Sequence, residues 1–502
     1  MKERPHLPLV LLLAAAMAII RDATAELSGS ILDQDVVFLI LSDPDAWSEE
    51  RAFTLKADLL KQSNQLGMRA IPQVLLSHLS FDNPSRGHGG WAVWPLFKRT
   101  LQIVTSPSDG SSGLEQFWLF VCEVDTRINL GRLLEFLSRF DPAHSHFMGR
   151  GLRDLSPTII HHYAMIDEKN PFLYPDFAAG LVVSSALLRR LVDILPGKKS
   201  DFAIDAKHEL AAIAWQGGQG VPLKHVEGFC TLPEEFHSSC VTEYRIPDMS
   251  ACRLGQSITV EDVLFAVKTH KANHKTKVPI VKASWAPDTR HLVFYSDTVD
   301  DDVPTVKVEA RNVELGHCAK TWEIFADFLA NPKFAQLTWL VVADDDTLLS
   351  VPRLVKLLNC YEGRNRRQKI ILGERYGYGF DADSEHGYDY PTGGSGMAFS
   401  RSAVEFLASD ECGGCPRDDS PDDMIIGGCA RNHYVPILYN AAFHQARPSD
   451  YAADYLRRLP PISFHKHWET DPLRDYDTWL TDSGATDTTE DQGPQDDLRE
   501  EL

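Results

Sequence analysis

Basic residues are scarce in this 502-residue chain: 50 Lys and Arg stand against 71 Asp and Glu, a formal net charge of −21. Clustered Lys and Arg are what phosphate backbones require, so nucleic acid is excluded as a partner. There is no Asn-x-Ser/Thr sequon, because Asn83 is followed by Pro84. After the N-terminal stretch no apolar run reaches the ~20 residues that cross a bilayer. Cys412 and Cys415 form a C-x-x-C, but no second pair follows at zinc-site spacing. A disulfide from one of them to Cys429 is expected instead. The nine cysteines are an odd number, so at least one is free or bonded to another chain.

The two chain ends carry targeting features. "MKERPH" is basic, "LPLVLLLAAAMAII" has the length of a secretory h-region, and Ala23-Thr24-Ala25 has the small-x-small form of a cleavage site. Residues 1–25 are therefore expected to be a signal peptide. A membrane anchor is disfavoured by the short run, which Arg21 and Asp22 end. Residues 481–502 are acidic and nearly free of aromatics, as in a disordered tail. They end in Arg-Glu-Glu-Leu, a variant of the endoplasmic reticulum retrieval signal. The mature chain is expected to be soluble in that lumen, whose oxidising chemistry suits the cysteines.

Short apolar runs alternate with helical periodicity. "DVVFLILSD", "IPQVLLSHL", "DVLFAVKTH", "HLVFYSDT" and "LTWLVVADDD" read as strands. "EERAFTLKADLLKQSNQLG", "AKTWEIFADFLANP" and "SVPRLVKLLNCYEG" read as helices stopped by Gly67, Pro332 and Gly363. Such alternation predicts an α/β architecture with a largely parallel sheet, whose ligands sit at the carboxyl ends of strands.

The chain also repeats itself. "FWLFVCEVDTRINLGRLLEFL" aligns with "LTWLVVADDDTLLSVPRLVKLL", placing Trp118 on Trp339, Glu123 on Asp344, Val124 on Asp345 and Asp125 on Asp346. "YPDFAAGLVVSSALLRRL" aligns with "YPTGGSGMAFSRSAVEFL", placing Gly180 on Gly396 and Ser184 on Ser400. The order predicts a duplicated domain, residues 26–250 and 251–480, with the boundary near Pro247 to Leu254.

Four segments of the second copy carry chemistry. Asp344, Asp345 and Asp346 end a buried strand, where like charges repel unless solvent or a cation separates them. Hard cations such as Mn2+ and Mg2+ take carboxylates and substrate phosphates together. The other possibility is a solvated acidic turn. Gly393, Gly394 and Gly396, around Ser395, permit close backbone approach by a ligand or simply form a tight turn. They match neither a dinucleotide fingerprint nor a P-loop. Asp422 and Asp423 open an apolar helix, as N-caps or with one of them as a general base. His444, His465 and His467 lie near the end of the copy, where an imidazole can join carboxylates on Mn2+.

Together, "VLFAVKTHKANHKTKVPIVKASW", "LVVADDDTLLSVPRLVKLL", "TGGSGMAFSRSAV", "SPDDMIIGGC" and "FHQARP/ISFHKHW" resemble the fringe-like β1,3-glycosyltransferases, from about Ile258 to Trp468. The resemblance implies two tandem GT-A-like (Rossmann-like) domains, a nucleotide-sugar donor, Mn2+ and inversion at the anomeric carbon. By motif it implies Asp423 as catalytic base. Asp344, Asp345, Gly393, Gly394, Ser395 and Gly396 would hold the donor. Asp344 and Asp346, with His465 or His444, would hold the metal. It also implies a Cys318–Cys360 disulfide. Along nearly its whole length the chain resembles the branch that extends O-linked fucose on thrombospondin type 1 repeats. UDP-glucose and a folded, fucosylated repeat are the substrates implied. A sibling donor (UDP-N-acetylglucosamine or UDP-galactose) or a non-catalytic glycan-binding folding factor are the alternatives. The first copy has Val124 for Asp345, and Phe177 and Ala178 for the glycines, so it is expected to be non-catalytic.

Overall fold

The computed structural model describes residues 32, 34–81, 93–106, 112–155, 157–161, 172–194, 202–252, 257–313, 316–362, 368–379 and 387–482. The expected signal peptide and retrieval signal, and nearly all of the acidic tail, lie outside them.

The strands of the first half are β1 (Val36–Leu41), β2 (Gln73–Leu76), β3 (Trp118–Glu123), β4 (Phe147–Gly149), β5 (Leu181–Ser184) and β6 (Lys224–His225). They form one sheet in the order β6-β4-β5-β3-β1-β2. The second half has β7 (Val263–Lys268), β8 (His291–Ser296), β9 (Thr305–Lys307), β10 (Trp339–Asp344), β11 (Ile371–Gly373), β12 (Met397–Ser400) and β13 (Ile437–Tyr439). Their order is β13-β11-β12-β10-β7-β8-β9, the same series with one strand added. Directions repeat too. β1 runs parallel to β2 and β3, as β7 does to β8 and β10. β5 and β12 run antiparallel to both neighbours and the other pairs are parallel, so the sheets are largely parallel, each with one reversed strand. The register agrees with the sequence repeat: Trp118 faces Ser184, and Trp339 faces Ser400.

Alternation along the strands divides the core. Val37 and Leu39 share one apolar cluster with Val263, Phe265 and Val267 of the other half. Phe38 and Ile40 point to a cluster confined to the first half, and Leu264 and Ala266 to one confined to the second. Burial on both faces explains why these strands read as continuous apolar runs. The halves also share a small sheet: Phe202–Ala203 pairs with Arg375–Tyr378, which pairs with Tyr388–Pro391.

Five helices matter to the site: α1 (Ala46–Leu66), α2 (Cys318–Ala330), α3 (Val351–Glu362), α4 (Arg401–Leu407) and α5 (Asp422–Asn432). α1 begins at Asp45, whose carboxylate accepts from Trp47 and Ser48 backbone N–H, and ends at Gly67 with φ +69°. Ser400 caps α4 through Ala403 N. Asp422 and Asp423 are not caps, for Pro421 holds that place and both lie in the first turn of α5.

Four disulfides form: Cys230–Cys240, Cys252–Cys360, Cys318–Cys415 and Cys412–Cys429. The last was expected. The Cys318–Cys360 pairing is incorrect. Cys318 opens α2 beside the 412–420 loop, its N–H bonding Ser420, whereas Cys360 on α3 packs on the Met249–Cys252 turn. Cys122, buried in β3, is the free thiol.

Candidate active site

β7 and β10 end side by side, so Lys268 pairs in register with Asp344. Lys268 Nζ lies 3.2 Å from Asp344 Oδ1 and 2.8 Å from Asp422 Oδ2, and Thr321 donates to the same Asp422 oxygen at 2.5 Å. Burial opposes the charge on Lys268, but the two aspartates outweigh it and hold its pKa well above the ordinary value. Burial likewise opposes the charge on Asp422, and Lys268 and Thr321 hold its pKa down.

Each neighbouring acid has its own compensation. Asp345 is buried; Oδ2 accepts from Thr269 Oγ1 (2.7 Å) and Asn273 Nδ2 (2.8 Å), and Oδ1 faces Lys277 at 3.5 Å. Its oxygens anchor the 269–277 loop, so this expected donor ligand is already committed. Asp346 Oδ2 accepts from Lys277 Nζ at 2.8 Å, and Oδ1 lies 3.1 Å from His465 Nε2. Burial would raise its pKa, but in the absence of a metal an imidazolium at His465, together with Lys277, holds it well below the carboxylate range.

His465 arrives because Thr347–Leu349 pairs antiparallel with Ser463–His465, setting Thr347 opposite His465. Its Nδ1 is 3.0 Å from the Gln445 carbonyl oxygen, which can only accept, so Nδ1 carries a proton. In the neutral ring Nε2 then presents its lone pair to Asp346 and, at 3.7 Å, Asp344. Lys268 and Lys277 each take one oxygen of these carboxylates, which leaves Asp344 Oδ2 and Asp346 Oδ1 beside the bare nitrogen, where a cation would find three donors. The three groups offer ligand atoms within 4.8 Å of one another, and that donor set fits Mn2+.

His444 does not join the cluster. Its Nδ1 bonds the Ser463 carbonyl at 3.1 Å, its ring stacks on Phe464, and burial pushes its pKa down to about 3. His467 lies near Asp346 and His465, and burial lowers it to about 4.

The glycine segment closes over this cluster. The Gly394 carbonyl accepts from Thr347 Oγ1 at 2.8 Å, and Ser395 N–H donates to Gln445 Oε1 at 2.9 Å. The Ser395 hydroxyl is buried in bonds with Thr392, while Gly396 turns the chain at φ +83°. Gly393 N–H lies 3.3 Å from Asp423 Oδ2, and Met424 N–H donates to Oδ1 at 2.7 Å. Burial, then the neighbouring charge of Asp422, pushes the Asp423 carboxyl up to about 7. Metal-type ligands, a glycine-lined wall and a carboxyl of near-neutral pKa thus converge at the strand ends.

The Fringe-like family model matches residues 100–212 and 258–484. The chain belongs to the Fringe-like family. It is 41% identical over 471 residues to a mouse beta-1,3-glucosyltransferase, covering 93% of this chain and 91% of the relative. The human beta-1,3-glucosyltransferase is likewise 41% identical, over 93% of this chain and 89% of its own. Chicken beta-1,3-N-acetylglucosaminyltransferase lunatic fringe is 27% identical over 42% of this chain and 61% of its own. The chain is accordingly a β1,3-glycosyltransferase.

The equivalent place in the first half of this Fringe-like chain differs. Thr126 donates to the Ala178 carbonyl at 2.9 Å, as Thr347 does to Gly394, and Tyr244 stands opposite Thr126 where His465 stands opposite Thr347. Arg51 pairs with Asp125, while the buried Arg458 lies 2.9 Å from Asp176 and 3.6 Å from Glu123. Guanidinium groups neutralise the acids that a metal would need.

Lys268, Thr321, Lys277 and Gln445 had no signal of their own in the sequence. Position could have found Lys268, since it ends the strand beside the acidic one.

Proposed function

We propose that this chain is an inverting glucosyltransferase moving glucose from UDP-glucose to the 3-hydroxyl of O-linked fucose on folded thrombospondin type 1 repeats. The proposed location is the lumen of the endoplasmic reticulum. Each half is proposed to be a GT-A-like domain, with catalysis in residues 251–480 alone. The names of the mouse and human relatives support the sugar. The observation that carries the site assignment is the convergence of Asp344, Asp346 and His465 beside Gly393 and Asp423.

Asp344, Asp346 and His465 would hold Mn2+, with Mg2+ as substitute. When bound, it supplies a fixed positive charge for the departing diphosphate. Asp423 takes the proton of the acceptor hydroxyl as that oxygen bonds to the anomeric carbon. The bond from that carbon to the UDP oxygen breaks in the same step, leaving UDP anionic. Inversion needs one base and no enzyme nucleophile, and a base of this kind contributes ~10²–10⁴ in rate. A pKa near 7 suits Asp423 to take that proton at neutral pH. Gly394 makes room for the His465 ring, which lies where a Cβ would be.

The test uses purified protein, Mn2+, a panel of UDP-sugars and an O-fucosylated repeat. Glucose transfer is expected, and its absence defeats the proposal. Transfer of N-acetylglucosamine or galactose instead would reassign the donor. Asp346→Ala should abolish transfer and weaken Mn2+-dependent binding of UDP.

A further inference from the structure

A second concave site lies between the halves, at the ends of β1 and β3. It is a cavity of about 430 Å³ lined by residues of both, including Asp43, Glu123 and Asp125 from the first half and Glu374, Arg375 and Tyr439 from the second. None of Asp344, Asp346, Asp423 and His465 lines it. Its size falls in the ~300–1,000 Å³ range of small-molecule pockets. Its position is the counterpart of the active site, since β1 and β3 repeat β7 and β10.

Most cations of the wall are already paired. Arg51 is paired with Asp125, Lys207 with Asp205 at 3.0 Å, and Arg375 with Asp43 at 2.8 Å. Arg353 is bonded to the Pro461, Trp479 and Thr481 carbonyls, which leaves the exposed Lys356 as the lining cation that could meet an anion. Aromatic rings provide much of the remaining surface: Trp47, Tyr244, Tyr361, Tyr376, Tyr439 and Tyr455. Among the described residues, Arg375 Nε has no hydrogen-bond partner, although Arg375 is only 3% exposed. A buried donor without a partner is costly and fits a ligand that supplies an acceptor. Glu374 accepts from Gln445 N–H and Tyr451 Oη, and burial pushes its carboxyl up to about 8.

Aromatic rings beside carboxyl acceptors suit a pyranose. Its C–H face packs on rings, and every hydroxyl both donates and accepts. We propose that the cavity between the two halves is a binding site for a neutral saccharide, separate from the donor site. It requires no transfer by this cavity and stands whether or not the glucosyltransferase assignment does.

The experiment is isothermal titration calorimetry on the full chain with methyl β-D-glucopyranoside and methyl α-L-fucopyranoside, with and without saturating UDP and Mn2+. Binding heat from at least one glycoside, undiminished by UDP and Mn2+, is expected. Trp47→Ala should weaken binding about tenfold or more, the usual cost of removing a central tryptophan anchor. Hydrogen–deuterium exchange on the unaltered protein is the measurement independent of that variant. Added glycoside should protect residues 41–51 and 374–376. The proposal is overturned if neither glycoside binds, if UDP and Mn2+ displace both, or if protection falls only on 344–346 and 393–396. Binding of a lysine-rich peptide but of neither glycoside would also overturn it. A failed glucose-transfer assay leaves these outcomes untouched.

Discussion

Gly394→Ala isolates the link between the glycine wall and the imidazole. A Cβ at residue 394 would sit 2.3 Å from His465 Nδ1, 2.4 Å from Cε1 and 2.6 Å from Cγ. Carbon contacts are comfortable at ~3.5–4.0 Å, so the ring must retreat by about 1 Å or more. It cannot do so and keep both its 3.0 Å contact with Gln445 and its 3.1 Å contact with Asp346. The Gly394 backbone is not in the left-handed region, so the methyl group itself is the perturbation. Misplacing a reacting group by ~1 Å costs ~10²-fold, and disturbing a ligand's support costs ~10–100-fold in metal affinity. We expect kcat/KM to fall about 100-fold and the Mn2+ requirement to rise at least ~10-fold. Gly393→Ala serves as comparison, because its Cβ would meet Asp422 Oδ1 and Lys268 Nζ at an ordinary 3.8 Å. That variant should keep its Mn2+ affinity, measured by calorimetry without donor. The first copy already carries Ala178 at this place, with Tyr244 instead of the imidazole. If Gly394→Ala kept both unaltered kcat/KM and unaltered Mn2+ dependence, the His465 assignment would fail.

Three further outcomes follow from other parts of the molecule. Asp423 must be ionised to accept a proton and its pKa is raised to about 7, so kcat/KM should rise with pH up to that value and level above it. Asp423→Asn should lose ~10²–10⁴ in kcat, and a variant with the original pH limb would show the base lies elsewhere. Arg458→Met strands Asp176 and Glu123 without their partner, and loss of one member of a buried pair costs about 3–5 kcal/mol. A shift under about 1 kcal/mol in denaturant unfolding would contradict the pairing. Peptide mapping without reduction should recover Cys318 joined to Cys415 and Cys252 to Cys360, and a Cys318–Cys360 peptide would refute the topology.

Local signals were legible from the sequence because they act over a few residues. β10 and the Gly67 stop of α1 follow from apolar runs and backbone freedom alone. The repeat was legible because Trp118 and Trp339, and Ser184 and Ser400, keep one register. Pairings set by tertiary folding were not. Lys268 and Asp422 are 154 positions apart and meet because β7 and α5 converge. "AFHQ" and "SFHK" look equivalent as strings, and only the pairing of 347–349 with 463–465 brings His465, not His444, to the acids. Cysteine spacing says nothing about which loops adjoin, hence the incorrect Cys318–Cys360 pairing.

The strand shared between the halves has a consequence for making this protein. Phe202–Ala203 bonds to Arg375–Tyr378, whose other neighbour Tyr388–Pro391 runs directly into the glycine segment. Expressed alone, residues 251–480 would present a bare strand edge and half of the common apolar core to solvent. A truncation meant to give a minimal enzyme should therefore aggregate. Supplying residues 26–250 as a separate chain during refolding should rescue it. On this geometry the first copy, its acids neutralised by arginines, is a scaffold that the second copy cannot shed.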